Sequence, residues 1–220
     1  MKYLKYFFYL ATNWNIFIAY HIIRNEIRGE KKYDLLTTGA DDLKHLQKKG
    51  IDISHATIYM PVSYDLLAMF LTETKSSNFH HFLDIGCGKG RVMCVAAAYG
   101  INKISGVELS KELYGAAKEN IAVTNEKYPA TTINIYNNDA FYFDIENDVD
   151  CVFMFNPFDE MIMNAVMENI ETSLDSNLRV MTIIYINPME KHVLLEWGYD
   201  EIFHSKKMKY LEGSVFVKRV

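Results

Sequence analysis

Cysteine is scarce in this chain. Its 220 residues hold three, Cys87, Cys94 and Cys151, and no two of them form a C-x-x-C pair. That spacing argues against a disulfide framework and against a zinc site, so no metal is expected. A reducing, cytoplasmic setting fits it best. Positive charge is also in short supply: 23 lysines and arginines face 28 acidic residues, a net charge of −5. The balance argues against a broad basic face for nucleic acid. Long unbroken apolar runs are missing too. Residues 6–23 are mostly apolar and aromatic, but Thr12, Asn13, Asn15 and His21 interrupt them and Arg24-Asn25-Glu26 follows at once. A membrane-spanning helix wants about 20 nearly continuous apolar residues. A signal peptide wants a cleaner run and a small-residue cleavage site. The segment therefore reads as a helix docked on the protein, with an interfacial helix resting on a membrane as the alternative. Internal repeats and low-complexity stretches are absent.

Half of the residues are apolar, enough for a sizeable core. Leu4, Phe7, Phe8, Ala11, Trp14, Ile18 and Ile22 recur at helical spacing and predict one amphipathic helix ending near Gly29. Residues 29–40 read as a polar connector. Asp41-Asp42 opens a short helix that ends at Gly50, and Pro61 opens another that runs through Phe70 and Leu71. Residues 1–60 are thus expected to form a helical extension or cap on a domain of residues 61–220. From residue 80 onward the pattern alternates. Strands are predicted at His81–Ile85, Lys103–Glu108, Thr132–Tyr136, Val149–Phe155 and Arg179–Ile186, and helices at 89–99, 110–125 and 159–174. Such alternation predicts an α/β fold, a parallel sheet covered by helices on both faces. The tail differs: Ile202–Lys209 and Ser214–Val220 read as two strands joined by a turn at Glu212-Gly213, an antiparallel edge pair.

The most informative run is Phe82-Leu83-Asp84-Ile85-Gly86-Cys87-Gly88-Lys89-Gly90-Arg91. An apolar strand ends in an acidic residue, and Gly86, Gly88 and Gly90 follow at alternate positions before a helix. Dinucleotide sites usually show G-x-G-x-x-G, which seats a pyrophosphate on a helix N-terminus. Here the spacing is G-x-G-x-G, and Asp84 stands two residues before the first glycine. A carboxylate there suits a cationic ligand, an amino group or a sulfonium, better than an anion. Gly106-Val107-Glu108 closes the second strand, where an acidic side chain can take both hydroxyls of a ribose. The third strand leads to Asn137-Asn138-Asp139-Ala140-Phe141. Asp139 can accept from an adenine amino group, and Phe141 can pack on the ring. Three acidic residues, one per strand tip, would line one crevice at the C-terminal edge of the sheet, where open α/β sheets bind ligands.

With these motifs in this order, the chain resembles the class I S-adenosylmethionine-dependent methyltransferases. The resemblance rests on Leu83 to Gly90, on Gly106-Val107-Glu108 and on Asn138-Asp139-Ala140, and covers roughly residues 80–220. It implies a Rossmann-like, doubly wound, seven-stranded and mostly parallel sheet with a C-terminal antiparallel β-hairpin. It implies S-adenosylmethionine as cofactor, held by Asp84, Gly86, Gly88, Gly90, Glu108, Asp139, Ala140 and Asn156. The fourth strand ends in Phe153-Met154-Phe155-Asn156-Pro157-Phe158, a position that lies beside the transferred methyl group in the family. Members that methylate an adenine or glutamine amino group often carry N/D-P-P-Y/F there. This chain has one proline, so the loop is a residue short, which turns the reading away from a nucleobase. The tip is similar to that of the non-SET lysine methyltransferases, as is the segment from His55 to Pro61.

These likenesses imply methylation of a nitrogen, on a protein side chain or a small amine rather than nucleic acid. Asn156 would orient the acceptor, Phe158 would form a wall, and Tyr59 would act as a lid or as a proton-accepting partner. Tyr185-Ile186-Asn187-Pro188 is expected to supply the opposite rim. The alternative is a non-catalytic module of the same fold that binds the cofactor or a partner; the N-terminal helix would serve a homodimer as readily as its own domain. Blander readings hold elsewhere. His80-His81 is a polar lead-in to a strand, Met161, Met163 and Met167 are core residues of a helix, and Lys31-Lys32 and Lys206-Lys207 are solvated faces.

Overall fold

A computed structural model of the protein describes residues 2–40, 59–207 and 211–219. The N-terminal segment forms two helices rather than one, α1 (Lys2–Asn13) and α2 (Ile16–Tyr33). The break comes at Asn15, whose extended backbone and side chain cap α2: its amide oxygen accepts from the Ile18 N–H at 2.9 Å. Nor does the helix stop at Gly29. Glycine is there for proximity, because a Cβ at that position would lie 2.2 Å from the Tyr64 ring. The expected helix from Asp41 to Gly50 lies outside the described residues. Helix α3 (Tyr64–Glu73) starts three residues later than the sequence predicts, with Pro61 just ahead of its N-cap, Ser63.

The alternating region folds as expected. Its strands are β1 (Phe82–Ile85), β2 (Lys103–Val107), β3 (Thr132–Tyr136), β4 (Cys151–Phe155) and β5 (Met181–Ile186). Between them run α4 (Arg91–Ala98), α5 (Lys111–Lys127) and α6 (Glu160–Ser176). A short helix that the sequence did not announce, α7 (Lys191–Glu196), follows β5. The chain then forms β6 (Asp200–Lys207) and β7 (Leu211–Lys218). The seven strands are ordered β3-β2-β1-β4-β5-β7-β6, with β1 to β5 parallel and β7 antiparallel to both its neighbours.

Glu212-Gly213 is not the turn of the hairpin. Both residues sit inside β7, opposite Lys206 and Ser205. A Cβ on Gly213 would lie 2.6 Å from Ile186 and from Phe70, so the glycine lets α3 press on the sheet. The pairing of β6 slips between Glu201 and Phe203, and β6 is one edge of the sheet.

Strands buried on both faces read as nearly continuous apolar runs. Alternate side chains of β1 and β4 accordingly feed two cores. Phe82 and Phe153 join Phe70 of α3 and Met93 of α4 on one face. Leu83 and Met154 join Met163 and Met167 of α6 on the other. The three cysteines are free and buried. His81 is also buried, between Asp148 (Nδ1, 2.9 Å) and Ser105 (Nε2, 2.8 Å).

Candidate active site

The order β3-β2-β1-β4 sets four strand tips side by side, and a cavity of about 420 Å³ lies over them. Gly86, Gly88 and Gly90 all have positive φ (76°, 55° and 75°), the left-handed region that favours glycine. The turn is tied down from below, with Gly86 N–H and Cys87 N–H both donating to the Val107 carbonyl. Glu108 closes it from the side. Its carboxylate accepts from Gly88 N–H at 2.8 Å through Oε2 and from Ser110 N–H at 2.7 Å through Oε1. Burial raises its pKa while those N–H groups draw it back.

Asp84 is the odd group. It is buried, it borders the cavity, and its Oδ2 has no hydrogen-bond partner among the described residues. Burial first, then the nearby Glu108 charge, lift its carboxyl well above the usual range. A buried carboxyl without a partner is costly unless a ligand satisfies it. A cationic amino or sulfonium group is the ligand that suits it. Asp139 stands at the tip of β3 and accepts from the Phe141 N–H at 2.9 Å. It borders the cavity together with Ala140 and Phe141. The donor set fits S-adenosylmethionine: an unpaired acid for the charged end, a carboxylate over a glycine cradle for a ribose, and a third acid beside an aromatic ring for a base.

On the β4 side the wall changes to Phe155, Pro157, Phe158, Met161 and Ile162; Met161, expected in the core with Met163 and Met167, is instead largely exposed at this wall. Phe158 is buried and also packs into the α6 core. Asn156 is at the bend, with φ 35°, and its amide oxygen accepts from the Tyr185 hydroxyl at 3.2 Å. Its two neighbours face the cavity, whereas Asn156 is not itself part of the wall. Tyr185, Ile186, Asn187 and Pro188 are not part of that wall either. The opposite rim expected of them is not there: Tyr185 and Ile186 point into the core, and Tyr185 braces Asn156 from behind.

Tyr59 lies over the glycine turn. A Cβ on Gly88 would be 2.3 Å from its ring, and its hydroxyl donates to the Thr37 carbonyl at 2.8 Å. Burial holds the phenol protonated. Beside it is a network that the sequence reading missed. Arg91, the first residue of α4, donates to both carboxylate oxygens of Glu26 on α2 at 2.6 Å. It also donates to Thr37 Oγ1 and to the Val62 carbonyl, and it stacks 4.1 Å from the centre of the Tyr64 ring. The available signal was an acid on an apolar face: Glu26 shares the buried side of α2 with Ile18, Ala19, Gly29 and Tyr33. A fully buried carboxylate implies a cation to match it.

Residues 82–177 match the family model described as a methyltransferase domain. No curated protein matches the chain. Among solved structures, it is similar to a ribosomal protein L11 methylase from Lactobacillus delbrueckii subsp. bulgaricus, at 18% identity and a TM-score of 0.54 over 70% of this chain and 77% of that one. A SAM-dependent methyltransferase from Aquifex aeolicus matches at 15% identity and 0.53, over 69% and 88% of the two chains. An RNA methyltransferase from Salinibacter ruber in complex with S-adenosyl-L-homocysteine matches at 14% and 0.50, over 72% and 92%. Identities this low establish the fold alone. The matched segment runs from β1 through the whole of α6 and carries the crevice that Asp84 borders. Residues 82–177 thus match a methyltransferase domain, and the fold that carries them is similar to that of SAM-dependent methyltransferases of known structure.

Proposed function

We propose that this enzyme methylates a nitrogen, on a protein side chain or a small amine. The observation that carries the reading is the contrast between the two sides of the cavity. The carboxylates Asp84, Glu108 and Asp139 border it at the tips of β1 to β3, whereas the β4 side offers Phe155, Pro157, Phe158, Met161 and Ile162. An ammonium entering such an apolar wall is pushed toward its neutral, nucleophilic form. A hydroxyl acceptor would need a base, and the nearby phenol of Tyr59 keeps its proton.

S-adenosylmethionine, when bound, supplies an activated methyl group. In this reading Asp84 meets its cationic end, Glu108 the ribose and Asp139 the adenine amino group. Gly86, Gly88, Gly90 and Ala140 give backbone room. Asn156 orients the acceptor indirectly, by holding the bend that sets Phe155 and Pro157 in the wall; Phe158 walls the acceptor in, and Tyr59 covers the glycine turn and helps to exclude water. Residues 1–60 act as a cap on the domain of residues 61–220. The tie from Arg91 to Glu26 and the Tyr59 ring lying against Gly88 support that division of labour.

Incubation with methyl-labelled cofactor and a fractionated lysate tests the reading. It expects base-stable label in protein or in small amines. Label confined to nucleic acid, or label released by mild base as from an ester, overturns it.

A further inference from the structure

The hairpin of α1 and α2 has one face against the domain and one face in solvent. On the inner side Tyr6, Leu10, Ile18 and Ala19 are buried. The outer side is unusual for a soluble surface. Phe17 is 78% exposed and Tyr20 65%, and Leu4, Phe8 and Ile16 are each more than half exposed. Isolated exposed apolar residues are ordinary, but a contiguous group of large ones marks an interaction site.

Helical geometry places these groups together. Ile16, Phe17 and Tyr20 open α2 just past the bend, Phe8 lies about a turn and a half before it on α1, and Leu4 lies one turn farther back. The aromatic end is therefore the tip of the hairpin. Farther from the tip on the same outward face of α2 come Arg24, Arg28 and Lys31, with Lys5 on α1. None of these four pairs with a carboxylate among the described residues.

Charge along the hairpin is one-sided. Lys2, Lys5, Arg24, Arg28, Lys31 and Lys32 stand against Glu26 and Glu30 alone, in a chain whose net charge is −5. Both glutamates are turned inward, Glu26 to Arg91 and Glu30 to Lys2, Tyr3 and the N–H groups of Thr37 and Thr38. What faces outward is apolar at the tip and positive behind it.

We infer that the α1–α2 hairpin docks the enzyme on an anionic lipid surface. Its aromatic tip enters the headgroup boundary, and its basic flank meets the lipid charge. None of the described helices is long and apolar enough to cross a membrane, so this contact lies along the surface. A second copy of the chain is a poorer occupant. A two-fold contact sets the same patch against itself and would bring these unpaired cations together. The inference is independent of which atom is methylated.

The test is co-sedimentation of the full chain with phosphatidylcholine–phosphatidylserine vesicles and with phosphatidylcholine alone. The expected result is binding to the mixed vesicles that weakens as salt rises. The Phe17→Ser/Tyr20→Ser variant should bind at least about tenfold more weakly, as should Arg24→Glu/Arg28→Glu, both at unchanged melting temperature. Wild-type protein that stays in the supernatant overturns the inference. So does equal sedimentation of wild type and both variants, or a dimer in solution that Phe17→Ser dissociates, since the occupant is then a second copy.

Discussion

Glu26 and Arg91, 65 positions apart in the chain, meet as a buried two-pronged ion pair with both nitrogen–oxygen distances at 2.6 Å. The pair joins the N-terminal hairpin to the first turn of α4, the helix that the glycine turn launches. Removing one partner strands the other. Glu26→Gln should cost about 3–5 kcal/mol, read as a lowered urea midpoint. Glu26→Leu combined with Arg91→Met should recover part of that loss, because no buried charge is then left uncompensated.

Asp84 should make stability and cofactor binding respond in opposite directions. Burial and Glu108 raise its folded-state pKa, so the folded protein keeps a proton that the unfolded chain releases above about 3.9. Stability of the cofactor-free protein therefore falls as pH rises from that value toward the raised one. Asp84→Asn should flatten this dependence and raise the melting temperature near neutrality. It should also weaken S-adenosylmethionine binding by about tenfold or more. Melting curves across pH, with and without cofactor, check both signs together.

Gly88→Ala should damage the cofactor site without unfolding the domain. Its φ of 55° disfavours a side chain by roughly 1–2 kcal/mol, and the new methyl would drive Tyr59 off the turn. Titration calorimetry should show at least a roughly tenfold loss of S-adenosylmethionine affinity.

Tyr59→Phe separates a cover from a base. The variant loses the hydrogen bond to Thr37, worth about 1 kcal/mol of stability. The shape of the kcat–pH profile should be unchanged. A lost basic limb would assign the phenol a proton-accepting role.

Asn156→Gly keeps the left-handed bend and removes the amide together with the hydrogen bond it accepts from Tyr185. The expected result is a fall in kcat of roughly a hundredfold with the cofactor dissociation constant unchanged, a split that ties the bend to the acceptor side of the cavity. Asn156→Ala should lose the same activity and also some stability, because alanine is strained at φ 35°.

The central sheet was legible because a strand buried on both faces is nearly continuously apolar, as β4 is throughout and β5 is apart from Thr182. The crevice was legible because its acids stand at strand tips, so Asp84, Glu108 and Asp139 could be placed from topology alone. What escaped depends on contacts between segments remote in sequence. Gly29 and Gly213 look like helix and turn punctuation, yet each is a point of close approach, to Tyr64 and to Phe70 and Ile186. Neither partner is visible from the local pattern. The break at Asn15 was hidden by an apolar spacing that continues across it. Arg91 reads as an ordinary residue after a glycine, and only the folded chain shows its tie to Glu26.

The free edge at β6 has a consequence for how the protein behaves in a crowded solution. Its exposed residues include Asp200, Glu201, Lys206 and Lys207, and its pairing is already irregular between Glu201 and Phe203. A strand arriving from another molecule would meet a bent margin bristling with charges of both signs. Growth by strand addition is therefore disfavoured at this edge of the sheet.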